Sequence, residues 1–142
     1  MSTEPFVIER TYNAPVSAVW AAISQKEKMK QWYFDLAEFT AAVRFEFRFT
    51  GGSEDRQFVH ICTVTRVEEN KVLAYTWRYD GYPGISEVIF ELFDEGDNTR
   101  VRLTHTGLES FPVTPFKDFA KENFAAGWTH IIGTSLKEYL GQ

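Results

Sequence analysis

The chain has 142 residues, 44% of them hydrophobic, a formal charge of -5 and one cysteine. That is the size of one ordinary domain, able to bury a core without disulfide or metal. The acidic balance, with no run of lysine and arginine, argues against nucleic acid or an anionic membrane as partner, and Cys62 alone excludes an intramolecular disulfide.

No apolar stretch approaches the roughly 18 residues of a membrane span. The opening MSTEPFVIERTY has neither a basic n-region nor an apolar h-region, so a cytoplasmic protein is expected. Aromatic residues make up 16% of the chain, with 13 phenylalanines. Such side chains fill cores and also line apolar cavities.

Residues 6–12 (FVIERTY) read as a first strand. Asn13 offers a cap, and Pro15 suits the first turn of a helix VSAVWAAIS whose Val16, Val19, Trp20 and Ile23 recur at helical spacing. Ser24 and Glu27 have the spacing of a capping box, which predicts a second short helix carrying Met29 and ending near Trp32 and Tyr33. Residues 34–42 have no clear periodicity. VRFEFRF then alternates, with Phe45, Phe47 and Phe49 on one face.

Gly51-Gly52 predicts a turn, followed by a long strand over about residues 56–67 with apolar residues in both phases. Three more strands follow, VLAYTWRY, SEVIFELF and RVRLTHTGL, separated by turns at residues 68–71, 80–84 and 94–98. Alternation puts Leu73, Tyr75, Trp77 and Tyr79 on one face. It does the same for Ser86, Val88, Phe90 and Leu92, and for Val101, Leu103 and His105.

Thr114 can cap and Pro115 can open a last helix. Phe116, Phe119, Ala120, Asn123, Phe124, Gly127, Trp128, Ile131, Ser135, Leu136 and Tyr139 form its apolar stripe, and Lys117, Lys121, Glu122, His130, Lys137 and Glu138 its polar one. About 26 residues at 1.5 Å each give roughly 39 Å of helix. Only a sheet curled around it supplies so long an apolar partner. The expected fold is one α+β domain, β-α-α-β-β-β-β-β-α, with a six-stranded curved antiparallel sheet around the C-terminal helix.

These segments resemble the activator of Hsp90 ATPase homologue 1-like family, within the START-like (SRPBCC, Bet v 1-like) helix-grip group. The resemblance rests on VWAAIS at 19–24 after Ala14-Pro15, the Trp32-Tyr33 pair and LAYTWR at 73–78. NTRVRLTHTGL at 98–108 and AAGWTHIIGTSLKEYL at 125–140 complete it, so it spans nearly the whole chain. Members often carry a Gly-Gly-x-Phe run after the two small helices. Here that region is AAVRFEFRF, with Gly51-Gly52 later. The resemblance implies a cavity between helix and sheet; relatives include lipid carriers, hormone receptors, polyketide cyclases and a co-chaperone domain.

No P-loop, dinucleotide fingerprint or nucleophile elbow is present. His60, Cys62, His105 and His130 have no metal-site spacing, so neither metal nor cofactor is expected. Glu87 and Glu91 fall on the outward phase. The expected activity is binding of a small, mostly apolar or aromatic ligand. Its cavity would be lined by Trp32, Phe47, Tyr75, Trp77, Tyr79, Phe90, His105, Phe124 and Trp128. Gly127 would let the helix backbone approach the sheet. His105 has three open roles: a satisfied core imidazole, a polar anchor for the ligand, or a general base. Two alternatives stand beside ligand binding: a protein–protein module like the co-chaperone domain, and a cyclase- or hydratase-like enzyme using His105.

Overall fold

The computed structural model describes residues 5–32, 39–52, 57–82, 84–111 and 121–140, with the side chains of 51, 52, 57, 109 and 121–123 outside that description. The strands are β1 (Phe6–Tyr12), β2 (Glu46–Gly52), β3 (Gln57–Glu68), β4 (Val72–Tyr79), β5 (Ser86–Glu95) and β6 (Asn98–Thr106). Two short helices, α1 (Val16–Ser24) and α2 (Lys26–Met29), separate β1 from β2. The C-terminal helix runs without a break through α3 (Lys121–His130), a π-helical segment (Ile131–Ser135) and α4 (Leu136–Tyr139).

The six strands form one sheet in the order β1-β6-β5-β4-β3-β2. All five pairings are antiparallel, so the chain meanders from β2 to β6 and β1 closes beside β6. The expected α+β architecture and curved antiparallel sheet are those observed. Turn chemistry sets the register. Asn70 takes a φ of 63° between β3 and β4, where Lys71 N–H donates to Glu68 C=O at 2.9 Å. Gly84, at φ 104°, has no room for a side chain, because a Cβ there would lie 2.6 Å from the Ser110 carbonyl.

The alternation read in β4, β5 and β6 is the observed one. Tyr75, Trp77 and Tyr79, then Val88, Phe90 and Leu92, then Val101, Leu103 and His105 are all buried in one cluster with the helices. Each large apolar side chain so buried contributes about 1.5–3 kcal/mol. On β3, His60, Cys62 and Val64 point inward. Ile61 is also buried, on the other face, opposite Arg48 and Arg78, whose aliphatic stems can cover it. That burial, and a bulge after Val64 that turns Val67 to the inner face opposite Leu73, are why β3 has apolar residues in both phases. A register shift between Val64 and Arg66 bends the same strand.

Several local expectations are corrected. Pro15 is the N-cap of α1 rather than a first-turn residue. Of the four inward positions expected in α1, Val19 and Ile23 are buried, while Val16 and Trp20 are half-buried. Ser24 closes α1, and its hydroxyl donates to the Trp20 carbonyl at 2.5 Å, so it is not the cap of α2. Back-bonding to the preceding turn competes with capping and wins here. Gly51 and Gly52 extend β2, pairing with Phe58 and Gln57, instead of turning the chain.

Among the described residues of the C-terminal helix the buried positions are Phe124, Trp128, Ile132 and Leu136. Ile132 takes a core position that the stripe assigned to its neighbour Ile131, which is half-buried. Gly127 is exposed, and a Cβ there would meet nothing within 4 Å, so it does not bring the backbone to the sheet. The wide π turn shifts the phase of the inward face. The expected Tyr33, Thr114, Pro115, Phe116, Lys117, Phe119 and Ala120 contributions lie outside the described residues.

Candidate functional site

The inner face of the sheet carries the aromatic rings because β2, β3 and β4 present theirs in register. Phe47 faces Cys62 and Phe49 faces His60 across β2 and β3, and His60 faces Tyr79 across β3 and β4. The Phe47 ring meets Tyr75 at 5.1 Å and Phe49 meets Trp77 at 5.6 Å, both edge-on. The helix closes the other side. Trp128 lies 5.7 Å from Trp77 and 6.2 Å from Phe90, and Phe124 lies 5.2 Å from His105. Edge-to-face geometry of this kind is favourable for aromatic pairs.

A line of hydrogen bonds crosses from helix to sheet through these rings. Trp128 Nε1–H donates to His105 Nδ1 at 3.0 Å. An indole N–H can only donate, so Nδ1 is the acceptor and the imidazole proton sits on Nε2. Nε2–H therefore donates to Ser86 Oγ at 2.7 Å, and Ser86 passes its own proton to the Trp77 carbonyl at 2.9 Å. Trp77 Nε1–H donates to the Tyr79 hydroxyl at 2.9 Å. Among the described residues every buried side-chain polar atom has a partner.

Burial pulls the His105 pKa down to about 3, so the ring is neutral at physiological pH. His60 lies on β3, on the same inner face. Its ring stacks on Phe49 at 4.4 Å, and Nδ1–H donates to the Phe58 carbonyl at 3.1 Å. Burial lowers its pKa to about 4, against the opposing pull of hydrogen bonds to backbone. Burial raises the Cys62 thiol well above its ordinary range.

The structure buries all nine expected cavity residues, and ring contacts and hydrogen bonds link Phe47, Tyr75, Trp77, Tyr79, Phe90, His105, Phe124 and Trp128. Trp32 is also buried in the core, at the end of the small helices, with its Nε1–H donating to the Ala22 carbonyl at 2.9 Å. Sequence reasoning missed Ser86 as a hydrogen-bond relay and His60 as a partner of Phe49. It also missed Phe111, which links Tyr79 at 5.3 Å to Phe124 at 5.9 Å. The phase of Ser86 with Val88 and Phe90 was a usable signal, since an inward serine on an apolar face needs a partner.

Among the described residues no three of His, Cys, Asp and Glu converge as metal ligands. An open groove of about 740 Å³ lies elsewhere, with Arg66, Lys71, Glu91, Asp94 and Arg100 in its wall. Its mixed charge suits water more than an apolar molecule.

Comparison with known proteins places this architecture. The family model described as "Activator of Hsp90 ATPase homolog 1-like protein" matches residues 13–141. The chain belongs to that family. Its fold is START-like, and solved structures agree. Protein MLL2253 from Mesorhizobium loti is 26% identical, with a TM-score of 0.76 and 96% of each chain covered. CV1439 from Chromobacterium violaceum is 16% identical, with a TM-score of 0.80 over 99% of both chains. CalU16 from Micromonospora echinospora is 22% identical, with a TM-score of 0.73 over 96% of this chain and 76% of that one. No curated protein matches. Among the described residues no helix is long and apolar enough to cross a membrane.

Proposed function

We propose that the protein binds a small, mostly apolar or aromatic ligand between the inner face of the sheet and the C-terminal helix, against the rings around Trp77, Phe90 and Trp128. The carrying observation is the convergence of eight aromatic or imidazole side chains from β2, β4, β5, β6 and α3 on one buried region. The polar atoms of these rings are paired among themselves, which holds the rings in place as the wall of an apolar site. A pure packing core favours Leu, Ile, Val and Phe.

Within this reading His105 shapes the wall and is neither ligand anchor nor base. Both ring nitrogens are engaged by Trp128 and Ser86. A general base needs a free lone pair, and the Nδ1 pair is taken. That weighs for binding over cyclase- or hydratase-like turnover.

Native mass spectrometry of the freshly purified protein tests the proposal. An adduct of a few hundred daltons that is released by organic solvent is the expected result. Tryptophan fluorescence should also respond saturably to a panel of fatty acids and fused aromatics, and lose that response in Phe90→Asp. Absence of both the adduct and any saturable quenching would remove the ligand-binding reading.

A further inference from the structure

We propose that the recess between β1 and the π-helical segment is a binding site for a phosphate group, held by Arg10 and Lys137. It lies apart from the aromatic region and does not depend on that ligand.

The recess has a volume of about 140 Å³ and is lined by Arg10, Thr11, Tyr12, Ile132, Gly133 and Lys137. At about 30 Å³ per water it has room for roughly five waters, comparable with the five heavy atoms of a phosphate group. Two of the six lining residues are cations and none is an acid. Among the described residues neither Arg10 nor Lys137 has a salt-bridge partner; Glu9, next to Arg10, is bonded to Arg100 and Arg102 on the other face of β1.

The geometry of Arg10 is set for an oxyanion. Its phase on β1 is that of Ile8 and Tyr12, facing the helix. Nη1–H donates to the Glu9 carbonyl at 2.7 Å, which fixes the plane of the guanidinium. The remaining edge, Nε and Nη2, lies 3.8 and 4.0 Å from where a Cβ on Gly133 would be. The guanidinium thus borders the recess beside Gly133, and its planar set of N–H donors suits the oxygens of a phosphate. Lys137 stands four residues after Gly133, about one helical turn on, and adds a point charge.

The helix is built to leave this space. The π turn at Ile131–Ser135 widens the backbone, and Gly133 at its centre has no side chain. The buried Tyr12 hydroxyl donates to the Ile132 carbonyl at 2.5 Å and ties the π turn to β1 at the floor of the recess. π turns inside α-helices occur often at functional sites. Both cations are exposed and the whole chain carries -5, so affinity is modest and falls with salt.

The test is a titration of the full ¹⁵N-labelled chain with inorganic phosphate at constant ionic strength, following the Gly133 amide and the Arg10 Nε–H. A saturable shift with a Kd on the order of 1–10 mM is expected. Arg10→Gln and Lys137→Gln should each weaken it by about tenfold or more. Gly133→Ala, whose methyl makes only ordinary contact with the guanidinium, should not lower the thermal midpoint and should still weaken phosphate binding. Glycerol 3-phosphate separates the sources: tighter binding than inorganic phosphate assigns the site to a monoester, equal binding to free phosphate. The proposal is overturned by a shift that stays linear to about 100 mM, by an unchanged Kd in the Arg10→Gln/Lys137→Gln double variant, or by acetate binding as tightly as phosphate.

Discussion

Two neutral histidines buried in the inner face make the fold sensitive to mild acid. His105 has its pKa lowered to about 3 and His60 to about 4, in both cases mainly by burial. The unfolded chain returns both to about 6.5. Between those values the unfolded state binds more protons, so stability is complete above about pH 6.5 and is lost as pH falls. Going from pH 7 to pH 5, each histidine removes about 2 kcal/mol, or about 4 kcal/mol together. Against a total of about 5–15 kcal/mol that is a large share. It corresponds to a drop of roughly 8–16 °C in the thermal midpoint for a chain of this length. Glu9, held below the ordinary carboxylate range chiefly by its hydrogen bond from Arg102, acts only below this window. Urea unfolding at half-unit steps from pH 7.5 to 5 measures the slope. His105→Gln, whose amide can still accept from Trp128 and donate to Ser86, should cost about 1–3 kcal/mol at pH 7. It should also halve the acid slope, from about 2.7 to about 1.4 kcal/mol per pH unit near pH 5. A slope unchanged by that substitution, or a His105 ring that titrates near pH 6.5 by NMR in the folded protein, would refute the reasoning.

Trp128→Ala should lower stability by about 3–5 kcal/mol by chemical denaturation, because it opens a cavity and strips His105 of its donor. Gly127→Ala should raise stability by about 0.4–1 kcal/mol, since the position is helical, exposed and unobstructed; a loss there would mean the helix backbone sits closer to its neighbours than described. Gly84→Ala should destabilise by more than 1 kcal/mol in the same assay, from its left-handed backbone and the close Ser110 carbonyl. Cys62 should resist a thiol reagent in the native state and react at the rate of unfolding, because burial raises its pKa and leaves it unexposed.

Where one residue's environment was set by its own strand, the sequence sufficed. Trp77 and His105 could be placed inward because β4, β5 and β6 alternate with one apolar face each. β3 resisted, because Ile61 is buried on the outer face opposite Arg48 and Arg78, which lie elsewhere in the chain, and a bulge after Val64 flips the phase. Ile132 was lost to a backbone event, since a π turn moves every later residue around the helix axis. Ser24 had the right spacing for a cap and bonded backwards instead. The recess at Arg10 could not be read at all. Its parts are some 120 residues apart, and neither a lone exposed arginine nor a helical glycine signals the other.

The pairing of β1 with β6 has a consequence for how the protein reaches its native state. Phe6 meets His105 and Tyr12 meets Thr99, so the first strand made is the last to find its partner. Tyr12 is then sealed by a bond to Ile132, 120 positions away. While β2 to β5 can zip as local hairpins, residues 6–12 wait as an unpaired strand until β6 arrives. On the ribosome, at about 5–20 residues per second, that wait lasts roughly 5–20 s for the 90-odd residues between them. Throughout it the nascent chain offers a free strand to any edge it meets, including the β2–β5 sheet of another copy, and chaperone engagement would have the most to protect during that interval.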